Sequence, residues 1–375
     1  PDMNDLRIYI HIPFCKSKCN YCDFNSFAGM DHMFRPYFKS LITEIALYSN
    51  ELRGRRIDSI YFGGGTPSHV DVQYIYQVLK CFTFDENTEI TIEVNPGVVG
   101  YHNFVQYRQM GINRISFGIQ SFNDRILMYM GRIHNSLTAI NNIHECKEAG
   151  FDNISADMIF GYPKQTLEQY EDSLNVLKSL EIPHVSCYSL SIEPGTLLDE
   201  MVKKNVMPMP DEDLDRAMYN LSIESLKKAN LQQYEISNFA VPGYESRHNI
   251  GYWNRDEYLG FGLSAHSLYN ETRYSNTEDL HQYISLLNKY EKPVVHTDTL
   301  TKEEIITEYI ILKLRMNSGL DIAHFQDKFD LNFEEKYGDK LKTLVNTGLL
   351  YKQSDSYKLT RSGMDVANKV FVEFV

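Results

Sequence analysis

Three cysteines stand within eight residues, in Cys15-Lys16-Ser17-Lys18-Cys19-Asn20-Tyr21-Cys22. The spacing is C-x3-C-x2-C. Three thiolates on one short loop can converge on one metal centre. A zinc site in a closed tetrahedron would want a fourth protein ligand. His11 is the nearby candidate, and it lies on a predicted strand, where packing or a local hydrogen bond suits it better. An iron–sulfur cluster held by three thiolates leaves one iron open. An open iron can take a substrate or cofactor, which a fully ligated electron-transfer cluster cannot. The other cysteines, Cys81, Cys146 and Cys187, are scattered and read as small buried hydrophobes. A disulfide framework would spread the six more evenly along a small, loop-rich chain.

Several other residue types could serve a ligand near such a centre. Gly63-Gly64-Gly65 lets backbone approach closely because no Cβ intervenes. Glu93 and Asp157 end predicted strands and can accept from hydroxyls or an amine. Gln120 both donates and accepts. Arg132 can pair with a carboxylate bidentately. Taken singly, each has a plainer reading: a tight strand-to-helix turn for the glycines, and a helix cap or surface ion pair for the carboxylates.

The elements that must position these groups alternate from about Leu6 to Ala240. Strands are predicted at Arg7 to Ile12, Ser59 to Phe62, Glu89 to Val94, Arg114 to Gly118, Asn153 to Ile159, His184 to Ser191 and Tyr234 to Asn238. Helical patterns lie between them at Pro36 to Asn50, Tyr74 to Cys81, Asn103 to Met110, Leu137 to Ala149, Leu167 to Leu180 and Asp213 to Lys228. Such alternation predicts a parallel sheet. About six units curve into a full or partial barrel, with an open doubly wound sheet as the alternative. Chemistry then belongs at the carboxyl ends of the strands. The loops there read CKSKCNYC, GGGTPS, NPG, QSF and GYP. Residues Val241 to Ser275 are rich in Gly, Tyr and Asn and hold the single tryptophan, Trp253. From about Leu300 the chain is helical and charged, then passes through a turn and short hairpin.

The 375 residues are 43% hydrophobic and 23% charged, ordinary values for a globular chain that exclude a disordered tail, a collagen or a coiled coil. Apolar stretches fall short of the ~20 residues that cross a bilayer. No basic-then-apolar leader is expected. The net charge of −13 leaves no basic footprint, so no nucleic acid is expected as main partner.

The cysteine spacing, placed after the first strand of a βα repeat, resembles the radical S-adenosylmethionine (radical SAM) superfamily. The resemblance extends along most of the chain. Tyr9-Ile10-His11-Ile12-Pro13-Phe14-Cys15, Phe62 to Ser68, Ile92 to Pro96, Ser116-Phe117-Gly118-Ile119-Gln120-Ser121-Phe122 and Asp157 to Pro163 look like motifs of the anaerobic coproporphyrinogen III oxidase (HemN) and heme chaperone (HemW) group. The resemblance implies a [4Fe–4S] cluster on Cys15, Cys19 and Cys22, with SAM chelated at the open iron. It implies SAM contacts from Tyr9, Tyr21, Gly64, Gly65, Thr66, Glu93, Gln120, Arg132 and Asp157. The expected fold is α/β: a partial (β/α)6 radical SAM barrel over residues 1–240 with the Fe–S loop at 15–22, an irregular linking region at 241–299, and an α-rich, winged-helix-like module at 300–375.

Three features lean toward the chaperone branch. The oxidase pattern adds a cysteine two residues beyond the third, where this chain has Phe24. The oxidase also carries a longer amino-terminal segment. Finally, His248-Asn249-Ile250-Gly251-Tyr252-Trp253 matches HNxxYW of the chaperones. A neutral imidazole is a good axial ligand for heme iron, and Tyr252 and Trp253 offer flat surface to a macrocycle. The plainer reading is a turn with a hydrogen-bonded His and a core Trp. His266 is a second candidate. The resemblance implies heme as ligand, recipient hemoproteins of the respiratory membrane, a cytoplasmic protein able to sit peripherally at the membrane, and room for a homodimer. It implies an enzyme scaffold without oxidase activity, the cluster and SAM regulating transfer. A true oxidase, decarboxylating two propionates of coproporphyrinogen III, is the alternative.

Overall fold

A computed structural model describes residues 5–375. The strands of its central sheet are β1 (Asp5–Ile12), β2 (Arg56–Gly64), β3 (Glu89–Val94), β4 (Arg114–Gln120), β5 (Ile154–Phe160), β6 (His184–Ser189), β7 (Gln232–Gln233), β8 (Asn238–Ala240), β9 (Tyr258–Phe261), β10 (His266–Tyr269), β11 (Thr272–Asn276) and β12 (Val294–Thr299). Their spatial order is β12-β11-β10-β9-β1-β2-β3-β4-β5-β6-β8-β7. Strands β1 to β6 pair in parallel, each with the next in the chain. Helices α1 (Phe34–Leu47), α2 (Val72–Leu79), α3 (Tyr101–Gln109), α4 (Ser136–Glu148) and α5 (Leu167–Ser179) fill the crossovers. This is the expected six-unit α/β architecture.

Residue alternation decides the curvature. One face of β1 to β6 carries Ile8, Ile10, Ile60, Phe62, Ile90, Ile92, Ile115, Phe117, Ala156, Met158, Val185 and Cys187, all buried in the main core with the helices. The other face carries Arg7, Ser59, Thr91, Arg114, Ser116, Ser155, His184 and Ser186, equally buried yet polar. Parallel strands covered on both faces normally read as continuous apolar runs. Here every second residue is polar because the inner face surrounds a lumen. Tyr61, Glu93, Arg114, Asp157 and Ser186, from five successive strands, line a single cavity, which a flat sheet could not achieve.

Two stretches differ from the sequence reading. The strand expected at Tyr234 to Asn238 is split into β7 and β8. Between them Glu235 is fully buried, its Oε1 accepting from the Ser237 amide at 2.9 Å and from Asn238 Nδ2 at 2.5 Å. This folds the chain back on itself, and β8 pairs antiparallel with both β6 and β7. Residues 241–299, expected to be irregular, are ordered. A short helix α7 (Arg247–Trp253) follows α6 (Glu212–Lys228). Strand β9 then pairs parallel with β1, and β10 to β12 continue as an antiparallel meander. An open β1 edge would leave a row of unpaired backbone groups, and β9 covers it. Glycines and asparagines there mark tight turns rather than absent structure.

The carboxyl-terminal region has its own apolar core, from Ile306 to Phe374. Its elements run α8 (Lys302–Arg315), β13 (Leu320–Asp321), α9 (Ile322–Phe329), α10 (Phe333–Asn346), β14 (Leu350–Gln353) and β15 (Ser356–Leu359). Helix, strand, two helices and a closing hairpin is the winged-helix order. It is tied to the barrel by an Arg216–Asp365 ion pair at 2.9 Å and by Arg315 lying 4.5 Å over the Trp253 ring.

Candidate functional site

The cysteine loop leaves the carboxyl end of β1 and is strapped at several points. Phe14–Cys15 pairs with Phe27–Ala28 as a two-stranded ribbon. The Asn20 amide donates to the Met130 carbonyl, Asn20 Nδ2 donates to Tyr129, and the Leu198 amide donates back to Asn20, all within 3.0 Å. The glycine turn after β2 lies directly against this loop. The Gly65 amide donates to Ile12 and the Thr66 amide to Phe14, both at 2.8 Å. A Cβ on Gly65 would lie 2.8 Å from the Phe14 oxygen and 3.0 Å from Cys15 Sγ. A Cβ on Gly64, whose φ is +114°, would sit 2.6 Å from the His11 ring. The glycines are therefore required by close approach.

Polar groups grip the thiols. Thr66 Oγ1 donates to Cys15 Sγ at 3.5 Å, and Arg132 Nη1 donates to Cys19 Sγ at 3.2 Å. Asn95 holds both donors, since its Nδ2 bonds Thr66 Oγ1 at 2.8 Å and its Oδ1 accepts from Arg132 Nη2 at 2.7 Å. Burial pushes the Cys22 thiol up to about 11, with the neighbouring cysteines adding to the shift. Such a thiol becomes a thiolate only when a metal centre takes its charge.

A cavity of about 490 Å³ opens below. It is lined by Cys15, Cys19, Cys22, Tyr21, Gly64, Gly65, Thr66, Glu93, Gln120, Arg132 and Asp157. All but one of the residues expected around the cluster and SAM thus share one volume. Gln120 reaches it from a left-handed backbone, φ +68°, where the β4–β5 register slips by one. A bulge that re-aims a side chain beside a site is a common device. Tyr9 lines an adjoining cavity instead, its hydroxyl 3.0 Å from His11 Nδ1. His11 Nε2 is 3.0 Å from the Asn25 carbonyl, so this imidazole fastens the loop.

The electrostatics of the cavity select its ligand. Burial, and then the charge of Asp157, push Glu93 up to about 7. Burial likewise raises Asp157. Glu93 Oε1 accepts from Tyr61 at 2.9 Å and Oε2 from the Gly64 amide at 3.2 Å. Two neighbouring buried carboxylates held in this way call for a ligand bringing positive charge and hydroxyl donors. A sulfonium with an ammonium group and a ribose has both. The three thiols suit a four-iron cube, which takes each thiolate at a separate corner and leaves one iron open.

His248 is placed elsewhere. Helix α7 seals the amino end of the lumen, its first amides docked on Glu89, with Arg247 N at 3.1 Å and His248 N at 3.0 Å from that carboxylate. The His248 ring is 1% exposed. Its Nδ1 lies 2.8 Å from Ser59 Oγ and its Nε2 lies 2.9 Å from the Tyr252 hydroxyl. Burial, with Arg7 and Arg114 adding, lowers its pKa to about 3. Both nitrogens are engaged, so the ring meets no ligand in this conformation. Asn249 and Tyr252 of the same motif do reach cavities. Sequence reasoning gave no role to Asn95, Tyr61, Arg114, Ser116, Ser186 or Tyr188, which also line the main cavity. The alternation of polar and apolar residues along their strands was the available signal.

Comparison with known proteins agrees with this architecture. Residues 9–177 match the Radical SAM superfamily and residues 300–366 match the HemN C-terminal domain. The chain is 33% identical over 371 residues to a protein of Lactococcus lactis named heme chaperone HemW, covering 98% of this chain and 96% of that one. It is 32% identical over 372 residues to the Bacillus subtilis protein of the same name, covering 98% of each. The chain belongs to the HemW family of radical SAM proteins. Membership of that superfamily implies a [4Fe–4S] cluster and SAM. The HemW-family fold is shared with coproporphyrinogen III oxidase (HemN) of Escherichia coli, with a TM-score of 0.88 at 24% identity, covering 99% of this chain and 90% of that one.

Proposed function

We propose that this chain is a heme-binding chaperone on a radical SAM scaffold, handing heme to recipient hemoproteins. The observation that carries the reading is near-complete coverage, at 33% identity, of a relative named heme chaperone HemW. Cys15, Cys19 and Cys22 hold the [4Fe–4S] cluster. When bound, the cluster supplies an open iron that fixes the methionine end of SAM. Arg132 and Thr66 stabilise the thiolates through the hydrogen bonds they already make to Cys19 and Cys15. Gly64 and Gly65 admit the ligand's methionine end, Glu93 and Asp157 take its amine and ribose hydroxyls, and Gln120 and Tyr21 border it. Tyr9, one wall away, orients His11 through its hydroxyl.

The recipients follow from the resemblance: hemoproteins of the respiratory membrane, served by a cytoplasmic protein that docks peripherally and pairs as a homodimer when loaded. Among the described residues no helix is long and apolar enough to cross a membrane. The fold is common to the oxidase, so the barrel does not separate the two activities. Phe24, in place of the further cysteine of the oxidase pattern, favours the chaperone.

The test is a hemin titration of the cluster-reconstituted protein under anaerobic conditions, read in the Soret band. Saturable, near-stoichiometric binding is expected. Conversion of coproporphyrinogen III to protoporphyrinogen IX, with SAM and a reductant but without saturable heme binding, would replace this reading with the oxidase.

A further inference from the structure

Asn95 stands one residue past the end of β3, between the two side chains that donate to the cysteine thiols. Its Nδ2 lies 2.8 Å from Thr66 Oγ1, and its Oδ1 lies 2.7 Å from Arg132 Nη2. Beyond them, Thr66 Oγ1 is 3.5 Å from Cys15 Sγ, and Arg132 Nη1 is 3.2 Å from Cys19 Sγ. The amide is closely seated. Its backbone N–H donates to Ser68 Oγ at 3.4 Å. A Cβ on Gly118, in the next strand, would lie 2.8 Å from Asn95 Oδ1. Arg132 Nη2 also donates to the Gly118 carbonyl, which holds the guanidinium against the amide.

The protons along this chain have one consistent order. A guanidinium only donates, so the part of Asn95 that faces Arg132 is the oxygen. That turns Nδ2, itself only a donor, toward Thr66. Thr66 Oγ1 accepts from it, and its single proton is left to point at Cys15 Sγ. With the amide turned over, Nδ2 would oppose the guanidinium, and the hydroxyl proton would go to Oδ1 instead of sulfur. Arg132 therefore fixes the amide, and the amide fixes the hydroxyl.

Resting on the cluster reading above, we propose that Asn95 is a positioning residue that aims both donors at the cysteine thiolates and so sets the reduction potential of the cluster they hold. Hydrogen bonds to the sulfurs are one of the levers on such a potential. They favour the reduced state, which carries the extra negative charge, and the charged donor Arg132 is the stronger of the two. Among the described residues no hydrogen bond joins Asn95 to a thiol, so its influence passes through Thr66 and Arg132. Aspartate at this position would still accept from Arg132 but could not donate to Thr66. The hydroxyl proton would turn to the carboxylate, Cys15 would lose its donor, and a negative charge would be added beside the thiolates.

The experiment is an anaerobic redox titration of the full, cluster-reconstituted chain without SAM, followed by electron paramagnetic resonance, on wild type, Thr66→Val, Asn95→Asp and the double variant. Iron content and melting temperature serve as controls for assembly and folding. Thr66→Val should disfavour reduction about tenfold, which is about 59 mV for a one-electron couple. Asn95→Asp should disfavour it more, since it loses the same bond and adds charge. The double variant should match Asn95→Asp alone, because the Thr66 proton has already left Cys15. A packing role would not produce that equality. Asn95→Ala, which frees both donors without adding charge, should lower the potential too, and it decides the matter if Asn95→Asp assembles no cluster. Wild-type potentials in the Asn95 variants, or simple addition of the two shifts in the double variant, would overturn the positioning role while leaving the cluster in place. A wild type that assembles no cluster would overturn both.

Discussion

At the carboxyl end of the lumen, Glu93 and Asp157 are buried side by side with raised pKa values. At the amino end, His184 and His248 are buried just as deeply, but each has a partner on both nitrogens. His184 Nδ1 lies 2.7 Å from Ser155 and its Nε2 lies 2.9 Å from Tyr234. His248 is held by Ser59 and Tyr252. Both ends use polar residues on the inner faces of the same strands. The amino end is a plug, in which donors and acceptors close on one another. The carboxyl end is a site, whose charges and thiols await something from outside. An open cavity lined by carboxylates and thiols, rather than the presence of buried polar groups, separates the two.

Breaking the site end should abolish loading while sparing the fold. Replacing Cys15, Cys19 and Cys22 with alanine should reduce iron after reconstitution to background and remove SAM binding, with the melting temperature nearly unchanged. Iron retained at wild-type level would move the cluster elsewhere. Breaking the plug end should do the reverse. Arg7 is 5% exposed and pairs with Asp58 at 3.1 Å and Asp256 at 3.0 Å. Removing it strands the buried Asp256 carboxylate and leaves Asp58 only its looser contacts to Arg247 at 3.5 Å and Arg56 at 3.9 Å. Arg7→Leu should therefore cost about 3–5 kcal/mol in denaturant unfolding. A loss under 1 kcal/mol would show that water solvates those carboxylates.

The site end was legible in the sequence to the extent that its residues sit in contiguous motifs. Cys15, Cys19 and Cys22, Gly64 to Thr66, Glu93, Gln120, Arg132 and Asp157 all come together. Asn95, which holds both Thr66 and Arg132, stood in one of those motifs without a role, because its importance lies in the geometry of two other side chains. The plug was less legible. A histidine beside tyrosine and tryptophan has the same composition whether it faces solvent or a serine on β2, and only the docking of α7 on Glu89 decides it. The 241–299 sheet extension was hidden for another reason. Its strands are short, and the first of them, β9, is anchored on β1, more than two hundred residues earlier.

A gentler cut through the plug sharpens the same contrast. Ser155→Ala leaves His184 Nδ1 buried without its partner. The expected cost is about 1–3 kcal/mol of stability, with SAM affinity unchanged within error. If SAM affinity fell in step with stability, the two ends would be one coupled unit, and the division drawn here would fail.

The finest test uses the proton at Glu93. In the ligand-free fold its pKa is raised to about 7 from an ordinary 4.5, first by burial and then by Asp157. For an acid raised in this way, the stabilising contribution is fully present below about pH 4.5 and is lost as pH rises through about 7. Glu93→Gln carries no charge at any pH, so the cluster-free variant should be more stable than the cluster-free wild type above pH 7, on the order of 1 kcal/mol. The difference should vanish near pH 4. Glu44, buried and also raised to about 7, titrates identically in both proteins and cancels from the comparison. At the same time SAM should bind the variant more weakly, because the amide cannot answer the ligand's positive charge. Parallel stability profiles across this range would mean that Glu93 already has its counter-charge inside the protein, making the carboxyl end a second plug. A gain in stability joined to a loss of SAM affinity is the signature of a group kept unsatisfied for its ligand, and no residue of the amino end should give it.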